Sequence, residues 1–96
     1  MTWINTILAK DSSGPLRRAY EEVYALYPPE YQITVEAVQR ADGESDSVVA
    51  AHSLIPDAMK HIMSTLGVLM QPDLPLTRRQ HEMIATVVSA RNRCFY

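Results

Sequence analysis

Cys94 carries the most reactive side chain in the sequence, and it is the single cysteine among 96 residues. A thiolate is a nucleophile and a redox centre. In a Cys-x-x-Cys pair one sulfur attacks while the other resolves the sulfenic acid or mixed disulfide that results. The ending Ser89-Ala90-Arg91-Asn92-Arg93-Cys94-Phe95-Tyr96 reads as the first half of such a pair. Glu82 is the acid that a thiol site here would use, and twelve residues separate it from Cys94. On one straight helix that spacing sets the two well apart around the axis. If the helix breaks near Asn92 and another begins, Cys94 sits close to a helix N-terminus, where free amides and the helix dipole stabilise a thiolate. Arg91 and Arg93 add positive potential there, and Glu82 faces the sulfur across the break to relay a proton. The plainer alternative is a Glu on a solvated helix face and a free, half-buried cysteine.

Other chemistry-bearing patterns fail on spacing. His81-Glu82-Met83-Ile84-Ala85 opens like the zinc signature His-Glu-x-x-His, but Ala85 stands where the second imidazole must be. His52 and His61 have no partner at ligand spacing, so neither a metal nor a cofactor is expected. There is no Gly-x-Ser-x-Gly elbow and no phosphate-binding glycine loop. The stretch Leu76 to Ile84 resembles the opening helix of a helix-turn-helix. No turn and no basic recognition helix follow it, so nucleic acid is not an expected partner.

The elements that must position these residues are helical. Ser13-Gly14-Pro15 starts a first helix, a serine or glycine capping it and the proline suiting its first turn. Leu16, Ala19, Tyr20, Val23, Tyr24 and Tyr27 fall on one face, and Pro28-Pro29 ends the helix. Tyr31 to Gln39 fits either a strand-like alternation or a short helix. Arg40 to Ser47 reads as a loop, and Val48 to Leu54 as a short helix capped by Asp46 or Ser47. Pro56-Asp57 opens a second strong helix with the stripe Ala58, Met59, Ile62, Met63, Leu66, Leu69 and Met70. After the turn at 71–75, Thr77-Arg78-Arg79-Gln80 matches a capping box, and Met83, Ile84, Val87 and Val88 are the expected buried face of a third helix. The tyrosine and methionine stripes read as packing surface rather than cofactor boxes. Asn92 marks the third helix's end or the cap of the next element.

Composition bounds the class. A 47% hydrophobic content suits one domain over 1–96, and a net charge of −2 offers no global field for nucleic acid or anionic membrane. No run is long enough to span a membrane, and the start lacks the basic-then-apolar pattern of a secretory signal. With no internal disulfide possible, a soluble cytoplasmic protein is expected.

The segment Pro75 to Tyr96 closely resembles the core of the alkylhydroperoxidase D-like branch of the carboxymuconolactone decarboxylase family, in particular its uncharacterised peroxidase-related members. Ser89, Asn92, Cys94 and Tyr96 match the positions of a Ser-x-x-Asn-x-Cys-x-Tyr-Cys core, with Glu82 at the family spacing before Cys94. Trp3-Ile4 and His52-Ser53-Leu54-Ile55-Pro56 match the usual layout as well. The resemblance implies an all-α fold of which this chain is the N-terminal part. It also implies a homo-oligomer, a hydroperoxide substrate and a thiol reductant. Cys94 corresponds to the resolving cysteine and Glu82 to the relay acid. The attacking cysteine and the relay histidine are expected beyond Tyr96, so the sequence is expected to be a truncated, catalytically incomplete version that is marginal as a monomer. A non-catalytic helical module that lends its helices to a fuller copy is the alternative. Lactone decarboxylation ranks below both, because that branch does not depend on a cysteine pair.

Overall fold

The computed structural model describes residues 3–33, 36 and 47–94. All the regular structure among them is helical, as expected, and no strand occurs. A 3₁₀ turn, Ala9–Asp11, precedes α1 (Gly14–Tyr24), and a second, Pro29–Gln32, follows it. Then come α2 (Ser47–Ala50), α3 (Pro56–Leu69) and α4 (Arg78–Arg91). Tyr31 and Gln32 thus belong to a 3₁₀ turn and not to a strand. Most of the stretch on to Gln39, residues 40–46 of the loop expected over 40–47 and the Asp46 cap lie outside the described residues, and Ser47 is the first residue of α2 rather than part of a loop.

The start of α1 falls where the expected serine or glycine cap and first-turn proline put it, but without a side-chain cap. Ser13 occupies the N-cap position, yet its side chain makes no capping bond. The entry is made instead by backbone geometry: Gly14 takes a φ of +52°, which a residue without Cβ adopts freely, and Pro15 pre-sets the next turn. Regular α-helix ends at Tyr24, ahead of the proline pair, because the chain tightens into three-residue turns. The Leu26 amide donates to Val23 at 3.0 Å and the Tyr27 amide to Tyr24 at 3.3 Å.

The core lies between α1 and α3. Leu16, Ala19, Tyr20 and Val23 meet Met59 and Met63, and Val49 of α2 closes one side. Gly67 extends the α3 seam by one more turn. A Cβ there would come within 3.1 Å of the Leu26 side chain, so α3 closely approaches the turn that follows α1 at that point. No other helix pair among the described residues shares a comparable interface. With one neighbour α3 buries a narrow stripe, so Ile62 and Leu69 of the expected apolar face remain about half exposed.

Two polar groups tie the N-terminal segment to this core. The buried Ser53 hydroxyl accepts the Ile7 amide at 2.8 Å, and the Tyr20 hydroxyl donates to the Ile7 carbonyl at 2.6 Å. Both backbone groups of Ile7 are thereby satisfied without a helix or sheet around them. The short helix expected over 48–54 is only one turn of α-helix, continued by three-residue turns through Ile55.

The expected buried face of α4 is not buried. Met83, Ile84, Val87 and Val88 are 54%, 54%, 67% and 52% exposed, and α4 has no buried residue at all. The side chains of α4 that are partly covered are Arg78, His81, Glu82 and Ser89. At 100° per residue these four cluster on the side of the helix opposite the apolar four. The helix therefore rests on the body through its polar face, the reverse of the usual amphipathic arrangement.

Candidate functional site

The site is organised by the start of α4. Thr77 Oγ1 accepts the Gln80 amide at 3.3 Å, and Gln80 Oε1 accepts the Thr77 amide at 2.8 Å, the reciprocal box expected from the sequence. A start fixed there puts Arg78 and Glu82 one turn apart on the same face. Glu82 Oε1 accepts from Arg78 Nε at 2.7 Å and from the Tyr31 hydroxyl at 2.5 Å. Arg78 also reaches the Glu30 carboxylate at 3.3 Å, and its guanidinium lies 5.1 Å from the centre of the Tyr31 ring. Glu30 and Tyr31 belong to the 3₁₀ turn after α1, so this cluster fastens that turn to α4.

Its charges support one another. The Tyr31 hydrogen bond and then Arg78 hold the Glu82 carboxyl below the usual glutamate range. Loss of water around the phenol, followed by the Glu82 acceptor, pushes Tyr31 up. The Arg78 guanidinium is likewise pushed up, chiefly by its bond to Glu82. Glu82 is thus an ionised acceptor with two donors on one oxygen. Beside it, His81 keeps a buried Nε2 without a hydrogen-bond partner.

Cys94 is free and exposed. The chain reaches it through a Schellman turn: the Arg93 amide donates to Ala90 at 3.1 Å and the Cys94 amide to Ser89 at 2.9 Å. Arg93 sits in the left-handed region at φ 54° to make that turn. The helix N-terminus expected around Cys94 does not occur among the described residues, because the Cys94 amide is spent on closing α4. From Glu82 to the last helical residue, Arg91, the helix advances by roughly 13 Å along its axis. Glu82 turns to Tyr31 and Arg78, so the structure does not bring it together with Cys94.

The remaining candidates are local. His52 Nδ1 lies 2.8 Å from the Val48 carbonyl, one turn back, and His61 is exposed. No group of three His, Cys, Asp or Glu that could hold a metal ion occurs among the described residues, and no helix among them is long and apolar enough to cross a membrane. A shallow cleft of about 170 Å³ between α1 and α3 is lined by Glu22, Val23, Leu26, Lys60 and Ser64. It falls below the roughly 300 Å³ at which small-molecule sites begin, and a 2.6 Å ion pair between Lys60 and Glu22 lies along its wall. The residue that spacing could not reveal is Tyr31, 51 positions from the carboxylate it binds. Its one signal was an aromatic just after a proline turn.

No protein-family model matches the chain, and comparison with curated proteins and with solved structures gave no match.

Proposed function

We propose that the chain carries the exchanging half of a thiol-dependent hydroperoxide reductase of the alkylhydroperoxidase D-like type, with Cys94 as the resolving sulfur. The observation that supports this most is the presentation of Cys94: a free, exposed thiol just past a capped helix, open to an external disulfide. Its thiolate attacks one sulfur of that disulfide. A new S–S bond forms, the old one breaks, and the departing thiolate carries away the electron pair. Reduction of a hydroperoxide needs an attacking sulfur as well, and the sequence supplies one cysteine. Glu82, held ionised by Tyr31 and Arg78, is the acid of the relay in this reading.

The test is Cys94→Ser. Hydroperoxide consumption with a dithiol reductant is expected to be near background in the parent and unchanged in the variant. Thiol release from an aromatic disulfide is expected in the parent and absent in the variant. Robust peroxide turnover that disappears with Cys94 would overturn this assignment and make Cys94 the attacking nucleophile.

A second reading, a helical interaction module, is favoured by one observation: α4 is capped at both ends yet buries no side chain. Isolated helices of its length are marginal in water, so a partner for its apolar face would stabilise it.

A further inference from the structure

We propose that α4 is a hinged arm that undocks from the body as an intact helix, with the Tyr31–Glu82 and Glu30–Arg78 contacts as its latch. Apart from bonds to its own flanking residues, every hydrogen bond and ion pair that joins α4 to the described chain is one of these two. Most elements cannot leave a fold this way, because they carry buried apolar surface with them. This one can. The core between α1 and α3, closed by Val49, contains no residue of α4, and α4 itself buries none.

The local structure on either side suits such a motion. Both caps of α4, the Thr77–Gln80 box and the turn through Arg93, are made by the helix and its own flanks, so they survive undocking. Between α3 and α4, residues 72–76 make no hydrogen bond among the described residues, and all but Leu74 are exposed. A change of backbone angle there breaks nothing, which is what a hinge requires. The docked state also carries a cost: His81 Nε2 is buried without a partner, and undocking returns it to water.

The two positions differ in what Glu82 can do. Docked, its Oε1 holds both the Tyr31 hydroxyl and Arg78 Nε; open, it keeps only the arginine of its own helix. Under the thiol reading the latched arm is therefore the idle state, with the relay carboxylate occupied. The arm itself goes beyond that reading and does not depend on it, since its test uses Cys94 only to carry a label.

The experiment attaches a nitroxide to Cys94, the single cysteine and an exposed one, and maps the broadening of backbone amide signals in the full chain. Dilution with unlabelled chain keeps the broadening intramolecular. In the parent it should concentrate on one patch of the body, the docked position. Tyr31→Phe should spread it over the surface, with the ratio of open to docked arm rising about fivefold for the bond removed. Sodium chloride at about 1 M should shift the parent the same way, because salt screens the exposed Arg78–Glu30 pair. Far-UV circular dichroism should stay unchanged in both cases, since the helix moves without melting. A broadening pattern that neither change alters overturns the proposal, as does one already diffuse in the parent. Spreading accompanied by loss of helical signal also overturns it, because α4 would then unfold instead of swinging.

Discussion

Glu82→Gln tests whether the Tyr31–Glu82–Arg78 cluster is what holds α4 to the body. The substitution keeps shape and one acceptor oxygen but removes the charge that two donors share on Oε1. A hydrogen bond to a charged group is worth about 1.5–3 kcal/mol where it is shielded. The Glu82 side chain is 46% exposed, so solvent screening brings the combined loss down to about 1 kcal/mol. Tyr31→Phe removes one of the same bonds and should cost about the same. Because the two changes delete one shared contact, the double variant should fall short of the sum by about 0.5 kcal/mol or more. Urea unfolding followed by far-UV circular dichroism, with amide exchange of α4 as the local readout, measures all four corners of the cycle. The pH dependence has a definite sign. Glu82 is held below the usual glutamate range, so its contribution is full above that range and is lost as pH falls through the lowered value. Tyr31 is pushed up, so its share is full below the usual phenol range and is lost as pH rises through the raised value. Glu82→Gln should therefore flatten the acid limb of the stability curve. Additive single effects, or an unchanged acid limb, would refute the cluster as the tether.

The remaining predictions concern the core and the helix end. Met59 is fully buried between α1 and α3, so Met59→Ala should cost about 2–5 kcal/mol by lost burial and the cavity left behind; a loss under about 1 kcal/mol by denaturant unfolding would place the core elsewhere. Arg93 adopts φ 54° to close the Schellman turn, where a side chain is strained. Arg93→Gly should slow amide exchange in the last turn of α4 by a factor corresponding to about 0.5 kcal/mol, the net of relieved strain against the added freedom of glycine in the unfolded chain. Faster exchange in that turn would mean that the arginine side chain itself stabilises the helix end.

What could be read from the sequence divides along a physical line. Rules that act within one turn held: Pro56 and the Thr77–Gln80 box set the starts of α3 and α4, and the four-residue step from Met59 to Met63 marked the core seam. Such features depend on local backbone geometry and side-chain period, which a sequence states directly. The face that α4 buries is not of this kind. Its period shows two faces, one apolar and one polar, and the ordinary rule buries the first. The choice is made instead by an interaction across 51 positions, a tyrosine hydroxyl on the Glu82 carboxylate, to which no spacing rule applies.

The same contact decides what became of the expected thiol site. Glu82 and Cys94 lie on and just past one helix, and setting them face to face needed a break near Asn92 with a new helix beyond it. Asn92 does end α4, but through a left-handed Arg93 that spends the Cys94 amide on the helix it leaves. With its carboxylate held by Tyr31 and Arg78, Glu82 is a structural anchor in this arrangement. Serving a sulfur would require the cluster to open, at a cost of about the 1 kcal/mol reckoned for its bonds. A relay role and an anchoring role for Glu82 are therefore separable by experiment. The anchor alone predicts that Glu82→Gln changes stability and its acid limb, while leaving thiol exchange at Cys94 untouched.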